Sequence, residues 1–295
     1  MIAIDSLTGL NCGVFCVSTC NTYFMRIEVL GADDTHESPT VAAIGAIHGD
    51  EPCGVRAIER FLATGLQDRL QRPIKLIIAN ERALAASSRY VEVDLNRSFP
   101  GDAESDLYEE RLAHRLWSEI KGCVTLGFHS TVSFDSPFGT FADPTFLKSR
   151  IMRALPIEHA ADFSAVAQGR SVNLPRFVNV EAGYQQSEAA AETAYECLLA
   201  YLRAMGALPD SANQTPTMHY LVQTVIEKSE KQDYTIRAEN FQRVAPREVY
   251  ATTDQGQMLT ADKEFWPVLM SADGHDVLLG YQSDQLGEIS QTIPE

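Results

Sequence analysis

The sequence predicts an α/β fold in which helices flank a mostly parallel sheet, followed by a small all-β domain. Up to about residue 208, apolar runs of strand length alternate with amphipathic runs of helix length. A segment rich in Pro, Ser, Asn and Thr follows at 208–217, and beyond it the apolar runs are short and separated by turn residues. We therefore predict an α/β domain at 1–208 and a β domain at 214–295.

The first elements predict a βαβ unit. Residues 23–32 have the composition of a strand, and residues 39–49 form the continuous apolar run typical of a strand covered on both faces. Residues 51–66 have helical spacing, and residues 73–80 predict a second buried strand. A strand, a helix and a strand at this spacing indicate two parallel strands joined by a crossover helix.

The alternation continues along the chain. Residues 103–120 predict an amphipathic helix, 123–130 a buried strand and 174–183 a further strand. Residues 187–208 predict a long helix that begins at Ser187, carries acidic residues in its first turns and ends near a glycine.

The C-terminal region has the pattern of an all-β domain. Its short alternating segments are separated by turn signals such as TDQGQ and SADGHD. The segments are MHYLVQTVIEKS, YTIRAEN, EVYATTD, FWPVLMS and DVLLGYQ.

The composition excludes some classes of partner. Hydrophobic residues make up 45% of the 295 residues, so a large core can form, and the formal net charge is −16. This acidity argues against nucleic acid or an anionic membrane as the main partner, because both require clustered Lys and Arg. A small acidic substrate stays compatible if a few arginines form a local positive pocket. The sequence also leaves a homo-oligomer open.

The cysteines and the N-terminus predict a soluble, cytoplasmic protein with reduced thiols. There is no secretory leader pattern, no apolar run of about 20 residues and no CxxC pair. Cys12, Cys16 and Cys20 have an unusual spacing, for which a metal or cluster site is the alternative to small apolar strand residues.

Polar side chains follow the predicted strands at three places. They lie at 48–51, at 89–101 and at 127–131. In open parallel sheets, ligands bind at the carboxyl ends of the strands, so we group these stretches as one candidate site.

The first and last stretches contain a candidate metal-ligand set. His48, Glu51 and His129 are two imidazoles and one carboxylate, a common set for catalytic zinc with a fourth position open. Gly49 would permit the sharp turn that brings His48 and Glu51 onto one ion. The alternative is a turn histidine followed by a carboxylate in the first turn of a helix.

The middle stretch adds fixed positive charge. Arg89 and Arg97 can each bind a carboxylate, Asn96 can hydrogen-bond the same group, and Asp94 can orient them. Ordinary ion pairs of a surface loop are the alternative.

Glu181 follows an apolar strand and is a candidate general base beside a metal, or else an exposed charge at a strand end.

Four motifs in order, HGDE, RYVEVDLNRSFPG, FHST and VEAG, resemble the succinylglutamate desuccinylase/aspartoacylase family of zinc hydrolases. The resemblance implies a fold related to the metallocarboxypeptidases and one Zn²⁺ per chain, with His48, Glu51 and His129 as ligands. It implies that Glu181 activates the attacking water and passes its proton to the leaving amine. It implies that Arg89 polarises the scissile carbonyl.

The resemblance further implies a substrate. Asn96 and Arg97 match residues that bind the substrate carboxylate, and Asp94 would support them. The predicted function is therefore removal of the acyl group from an acidic N-acyl amino acid. A carboxypeptidase-like peptide hydrolase and a non-catalytic metabolite-binding relative are the alternatives.

The chain departs from the family pattern near the predicted base. The family often has E-x-G-P, with a proline directly after the glycine. This chain has EAGYQQ, with a tyrosine at that position. An arginine upstream of the base binds substrate in some members, and both Arg170 and Arg176 fit that description. Tyr281, in the last β segments, is a further candidate substrate-binding residue.

Overall fold

The structure is a computed structural model that describes residues 25–31, 38–166, 170–229 and 232–293. Cys12, Cys16 and Cys20 lie outside the described residues, so the alternatives for this cysteine run stay predictions. None of the helices within the described ranges is both long enough and apolar enough to cross a membrane.

Strands and helices alternate through the first two thirds of the described chain, and strands predominate after that. The strands are β1 (Arg26–Leu30), β2 (Val41–Gly45), β3 (Ile74–Ile78), β4 (Val124–Thr131), β5 (Phe138–Phe141), β6 (His159–Asp162), β7 (Phe177–Tyr184), β8 (Met218–Glu227), β9 (Tyr234–Ile236), β10 (Val249–Thr253), β11 (Met258–Thr260), β12 (Trp266–Val268) and β13 (Leu278–Glu288). The helices are α1 (Cys53–Ala63), α2 (Glu81–Ala85), α3 (Tyr108–Ile120), α4 (Phe146–Ala154), α5 (Glu188–Ala204) and α6 (Ile289–Thr292), and 3₁₀ helices lie at Leu66–Arg69, Leu95–Arg97 and Ser171–Asn173.

The main sheet is mixed, so the prediction of a mostly parallel sheet is not confirmed. Its strands are ordered β1-β3-β2-β4-β7-β5-β6-β8-β13-β12. Of these neighbouring pairs of described strands, five are parallel and four antiparallel. One cause is the connection between β4 and β5, residues 132–137, which is too short for a crossover helix. β5 therefore runs opposite to β4, and so it is antiparallel to β7, which is parallel to β4.

The predicted βαβ unit is present. β2 and β3 pair in parallel, and α1 joins them. Val55, Ile58 and Phe61 form the buried face of α1, which packs against α5, while Leu62 packs at the edge of the same core. The chain of β2 is buried along its whole length, as its apolar composition predicts.

The start of α5 is also where the sequence places it. Ser187 is the N-cap, and its Oγ accepts a hydrogen bond from the backbone N–H of Ala190 at 3.0 Å. By contrast, β5, α4 and β6 lie in a region for which the sequence patterns predicted no element. These are short elements, which give too few periods of a hydrophobic pattern to be recognised.

The C-terminal region contains the predicted strands in two places. β8 pairs in parallel with β6 and antiparallel with β13, so the main sheet continues into this region. β9, β10 and β11 form a separate three-stranded sheet. The boundary of a C-terminal β domain at 214 stays a prediction.

Candidate active site

The candidate site lies where β2, β4 and β7 end, at the centre of the main sheet. His129 is on β4 and Glu181 on β7, and the parallel register places these two residues directly beside each other. His48 follows β2 after two more residues whose backbone stays next to the end of β3, since Asn80 N–H donates to the Ala46 carbonyl at 2.9 Å. Residues of all three polar stretches of the sequence therefore meet at the carboxyl ends of these central strands.

The turn that carries His48 and Glu51 is held from the backbone. Glu51 N–H donates to the His48 carbonyl at 3.3 Å, and Gly49 N–H donates to the Arg89 carbonyl at 3.2 Å. A Cβ at Gly49 would lie 2.1 Å from the carbonyl carbon of Ala83 in α2. Gly49 is therefore required because α2 approaches it closely, and this differs from the predicted role in a sharp turn.

His48, Glu51 and His129 bring three ligand atoms together. His48 Nδ1 lies 2.7 Å from Glu51 Oε1, and His129 Nδ1 lies 2.9 Å from Glu51 Oε2. The two Nδ1 atoms are 3.2 Å apart, and all three side chains are buried. Ser130 N–H donates to Glu51 Oε2 at 3.1 Å, which helps to orient the carboxylate.

The surroundings of this set fit a metal ion. Asp94 Oδ1 lies 3.0 Å from His48 Nε2 and accepts its N–H, so Nδ1 is the ring nitrogen that would be left to bind an ion together with Glu51 and His129. His129 Nε2 is buried without a hydrogen-bond partner among the described residues, so nothing draws this imidazole away from the group. Two imidazole nitrogens and one carboxylate oxygen are donors that suit zinc, and no other group of this kind occurs within the described ranges.

Arg89 and Asp94 form a pair beside the ligands. Arg89 Nε and one terminal nitrogen donate to Asp94 Oδ2 at 3.1 and 3.0 Å, and the other terminal nitrogen lies 3.5 Å from Glu51 Oε1. Asp94 Oδ1 also accepts the Asn96 N–H at 2.8 Å. Asp94 therefore touches both the guanidinium and the outer nitrogen of His48.

Opposite charges at close range shift the pKa values of these groups. Burial alone would lower the pKa of His48, but Glu51 and Asp94 outweigh burial and raise it to about 9. Burial alone would raise the pKa of Glu51, but the two histidines hold it well below its usual range. Asp94 likewise has a strongly lowered pKa, because His48 and Arg89 outweigh its burial. The ligand carboxylate is therefore ionised at neutral pH.

Glu181 has the opposite environment. Its carboxyl group makes no hydrogen bond to the described residues and lines the same cavity as the ligand set. Desolvation, and then the charge of Glu51, raise its pKa to about 8. A carboxyl group with this pKa can bind and release a proton near neutral pH, as a general base requires.

Further positive charge lines the same cavity. Arg97 and Arg170 both line it, and neither forms an ion pair with a described residue. Arg170 donates to the Tyr281 hydroxyl at 3.2 Å. Asn96 Oδ1 accepts the Ser171 N–H at 2.9 Å, so the amide nitrogen of Asn96 is the group left to donate into the cavity.

The structure separates the two arginines between which the sequence left a choice. Arg170 lines the cavity, whereas Arg176 lies near the start of β7 and donates to the Gly122 carbonyl at 3.4 Å.

Cys53, a thiol near Glu51 in sequence, is buried and donates to the His129 carbonyl at 3.4 Å. Burial raises the pKa of this thiol to about 12, so it stays protonated outside the ligand set.

Sequence reasoning missed part of the cavity wall. Phe163, Leu269 and Leu278 give it an apolar side, and His275 lies at its rim. These residues carry no local motif. They reach the site only through the fold, Phe163 from the segment after β6 and the others from the segment between β12 and the start of β13.

Comparison with known proteins agrees with the motif resemblance. Residues 37–133 match the model of the succinylglutamate desuccinylase/aspartoacylase catalytic domain. A succinylglutamate desuccinylase from Vibrio vulnificus (strain YJ016) is 34% identical over 98 residues, which are 32% of this chain and 28% of the relative. The chain thus matches little more than a quarter of the length of this curated relative.

Solved structures show the same fold. A succinylglutamate desuccinylase/aspartoacylase from Rhodobacter sphaeroides has a TM-score of 0.70 at 18% identity, covering 85% of this chain and 87% of that one. The ectoine utilization protein EutE (DoeB) from Ruegeria pomeroyi, in a product-bound structure, has a TM-score of 0.68 at 20% identity, covering 84% and 86%. Murine aminoacylase 3 has a TM-score of 0.65 at 18% identity, covering 85% and 97%. The predicted resemblance is therefore confirmed.

Proposed function

We propose, from the succinylglutamate desuccinylase/aspartoacylase pattern that residues 37–133 match, that the chain is a zinc-dependent amide hydrolase. It removes the acyl group from an N-acyl amino acid. The observation that carries this proposal is the convergence of His48, Glu51 and His129 beside Glu181 in one cavity. One Zn²⁺ per chain would be held by the two Nδ1 atoms and the Glu51 carboxylate.

Zinc, when bound, supplies a Lewis acid that polarises an amide carbonyl and acidifies water. The protein supplies the base. Glu181 accepts a proton from the attacking water at its carboxylate and later donates that proton to the nitrogen of the leaving amine. Its raised pKa supports this double role, because a carboxyl group of ordinary acidity would hold the proton too weakly.

Arg89 stabilises the negative charge that develops on the carbonyl oxygen. Its guanidinium lies beside Glu51, and two hydrogen bonds to Asp94 hold its plane. A donor that is already oriented does not have to reorganise when the charge develops, which is why such groups lower the activation barrier.

Arg97, Arg170 and Asn96 bind the substrate carboxylate. Neither Arg97 nor Arg170 forms an ion pair with a described residue, and the donor side of Asn96 faces the same space. Tyr281 holds Arg170 through its hydroxyl. A carboxylate bound there fixes the distance from the acidic group of the substrate to the scissile amide.

Two other functions remain to be separated from this one. A carboxypeptidase-like enzyme would use the same metal and base on peptides, and a binding relative would keep the pocket without turnover. Arg97 and Arg170 line the cavity without forming an ion pair to a described residue, and this favours a small acidic substrate over a peptide. A cytoplasmic location and a homo-oligomeric state stay predictions from the sequence.

The test combines metal analysis with an amine-release assay. The purified protein should contain about one zinc per chain and release amine from at least one member of a panel of N-succinyl and N-acetyl amino acids. Short peptides with free C-termini form the comparison panel. Turnover of peptides alone would favour the carboxypeptidase-like function, and metal binding without turnover of either panel would favour the binding relative.

A further inference from the structure

Glu109 is a charged residue with no exposed surface, and it lies outside the cavity. It sits in the first turn of α3. Its Oε1 accepts hydrogen bonds from Asn80 Nδ2 at 3.1 Å and from Val91 N–H at 2.7 Å. Its Oε2 accepts the N–H groups of Glu92 at 3.1 Å and Val93 at 3.2 Å. One carboxylate therefore binds three successive backbone amides.

These amides belong to the loop that carries Arg89. Residues 88–94 form neither helix nor strand, and Tyr90 and Val91 are 43% and 39% exposed, so side-chain packing does little to hold the loop. The three hydrogen bonds that these amides donate to Glu109 replace the backbone hydrogen bonds that a neighbouring strand would have provided. A carboxylate that accepts several backbone N–H groups makes charge-assisted bonds, which are stronger than neutral ones.

The anchored segment lies between Arg89 and Asp94, the two partners of the pair beside the metal ligands. A shift of Val91, Glu92 or Val93 would therefore move both partners. The backbone of Arg89 also accepts the N–H of Gly49, so the loop further contacts the turn that carries His48 and Glu51.

Asn80 connects the same carboxylate to α2. Its Nδ2 donates to Glu109, while its Oδ1 accepts the Ala83 N–H at 3.1 Å and caps that helix. The backbone of Ala83 is the surface against which Gly49 packs. Glu109 thus lies behind both elements that press on the site, and it touches neither substrate space nor ligand atoms.

We propose that Glu109 is a positioning residue that holds the 89–94 loop so that the Arg89 guanidinium meets the carbonyl oxygen of the substrate. This inference depends on the proposed function for its catalytic consequence. An ordinary acidic residue at a helix start would stabilise α3 and have no specific coupling to Arg89.

Glu109→Gln tests the proposal with little change of shape. Glutamine keeps one acceptor oxygen and replaces the other with a group that only donates, so some of the donors it faces lose their partner. The loop should shift, and kcat should fall roughly 10- to 100-fold, as a displacement of about 1 Å in a catalytic group can cause. KM, and zinc content measured at saturating Zn²⁺, should stay near the values of the unaltered protein, because the three ligands and Arg97 lie outside the segment that Glu109 binds.

Coupling to Arg89 is measured by a double-mutant cycle. In an Arg89→Ala background, Glu109→Gln should lower the residual kcat less than about twofold, because the group it positions is gone. An equal loss in both backgrounds would overturn the proposal. Glu110→Gln is the matched control, since Glu110 is the next residue on α3, accepts a hydrogen bond from Ser105 Oγ and makes none to the loop.

Amide hydrogen exchange separates this proposal from the proposed function. In Glu109→Gln, the 89–94 amides should exchange at least roughly tenfold faster than in Glu110→Gln, whether or not a substrate is known. Unchanged exchange would overturn the positioning role, whereas fast exchange in a protein that hydrolyses no N-acyl amino acid would overturn only the proposed function. If Glu109→Gln does not fold, Glu109→Asp serves instead, because it keeps the charge. Its kcat should fall less, and the fall should again disappear in the Arg89→Ala background.

Discussion

Two buried histidine–carboxylate clusters, one beside the ends of β2 and β4 and one between β6 and β8, differ in what surrounds them. His48 contacts Asp94 at 3.0 Å through Nε2 and Glu51 at 2.7 Å through Nδ1. His219, on β8, lies 3.5 Å from Asp162 through Nε2 and 2.7 Å from Thr292 Oγ1 through Nδ1. Both histidines are almost fully buried, so burial and a nearby carboxylate do not distinguish the two clusters.

The difference lies in the groups that converge on each histidine. The first cluster has a second imidazole, from His129, and it opens onto a cavity that also contains Glu181. The second has one imidazole, packs against the ring of Phe141 and is covered by Thr292 of α6. A buried histidine–carboxylate pair therefore indicates a site only when further ligand atoms and open space meet at the same point.

The largest effect is expected from removing a proposed ligand. His48→Ala should abolish stoichiometric zinc binding and with it amide hydrolysis, because two donors are too few to hold the ion tightly. His219→Ala should leave zinc content unchanged. Metal analysis of both variants after dialysis checks the contrast, and equal zinc content in the two would remove His48 from the ligand set.

The next largest effect is expected from the base that the second cluster lacks. Glu181→Gln keeps the size of the side chain and removes the proton acceptor, so kcat should fall by roughly 10²–10⁴. Zinc content should not change, because Glu181 is outside the ligand set. Single-turnover amine release measures the loss, and a rate near that of the unaltered protein would contradict the proposed role.

A smaller effect is expected from changing Asp94, the carboxylate that contacts Nε2 of His48. Asp94→Asn weakens the hydrogen bond that orients His48, and such changes cost roughly 10- to 100-fold in metal affinity or activity. The matched change in the second cluster is Asp162→Asn, which should alter neither. Competition with a zinc chelator measures affinity in both variants. A loss of affinity in Asp162→Asn as large as that in Asp94→Asn would show that the effect is not specific to the site.

The sequence predicted the residues of the first cluster better than the rest of the molecule because each of them stands in a recognisable local pattern. His48 and Glu51 share one turn, and His129 lies near the end of β4, a strand with a continuous apolar run. The choice between Arg170 and Arg176 could not be made from the sequence, because the Ser171–Asn173 helix and the turn after it decide which arginine faces the cavity. Glu109 looked like any acidic residue of an amphipathic helix, since its loop partners are backbone amides that no sequence motif records.

The mixed sheet was beyond the sequence for a similar reason. β5 and β6 are four residues each, and their direction depends on which neighbours they pair with. Hydrophobic patterns predict that a segment is a strand, but they carry little information about the partner strand.

The smallest effect concerns stability at acid pH and involves only the second cluster. Burial alone would raise the pKa of Asp162, but the nearby imidazole of His219 and hydrogen bonds from Ser164 lower it below its usual value. The folded protein therefore binds this proton less readily than the unfolded chain, in which the pKa is about 3.9. The stabilisation from Asp162 is complete above that pH and is lost as the pH falls through the lower folded-state pKa.

Asp162→Asn should consequently unfold at lower urea concentration at pH 7, by about 1–3 kcal/mol for a buried group whose partners are disturbed. The gap between the variant and the unaltered protein should narrow as the pH falls below about 4. Urea unfolding from pH 7 to pH 3, with zinc removed from both proteins, keeps the first cluster from contributing through the metal. A gap that stays constant over this range would mean that the charge of Asp162 does not stabilise the fold, and the second cluster would then be a matter of packing alone.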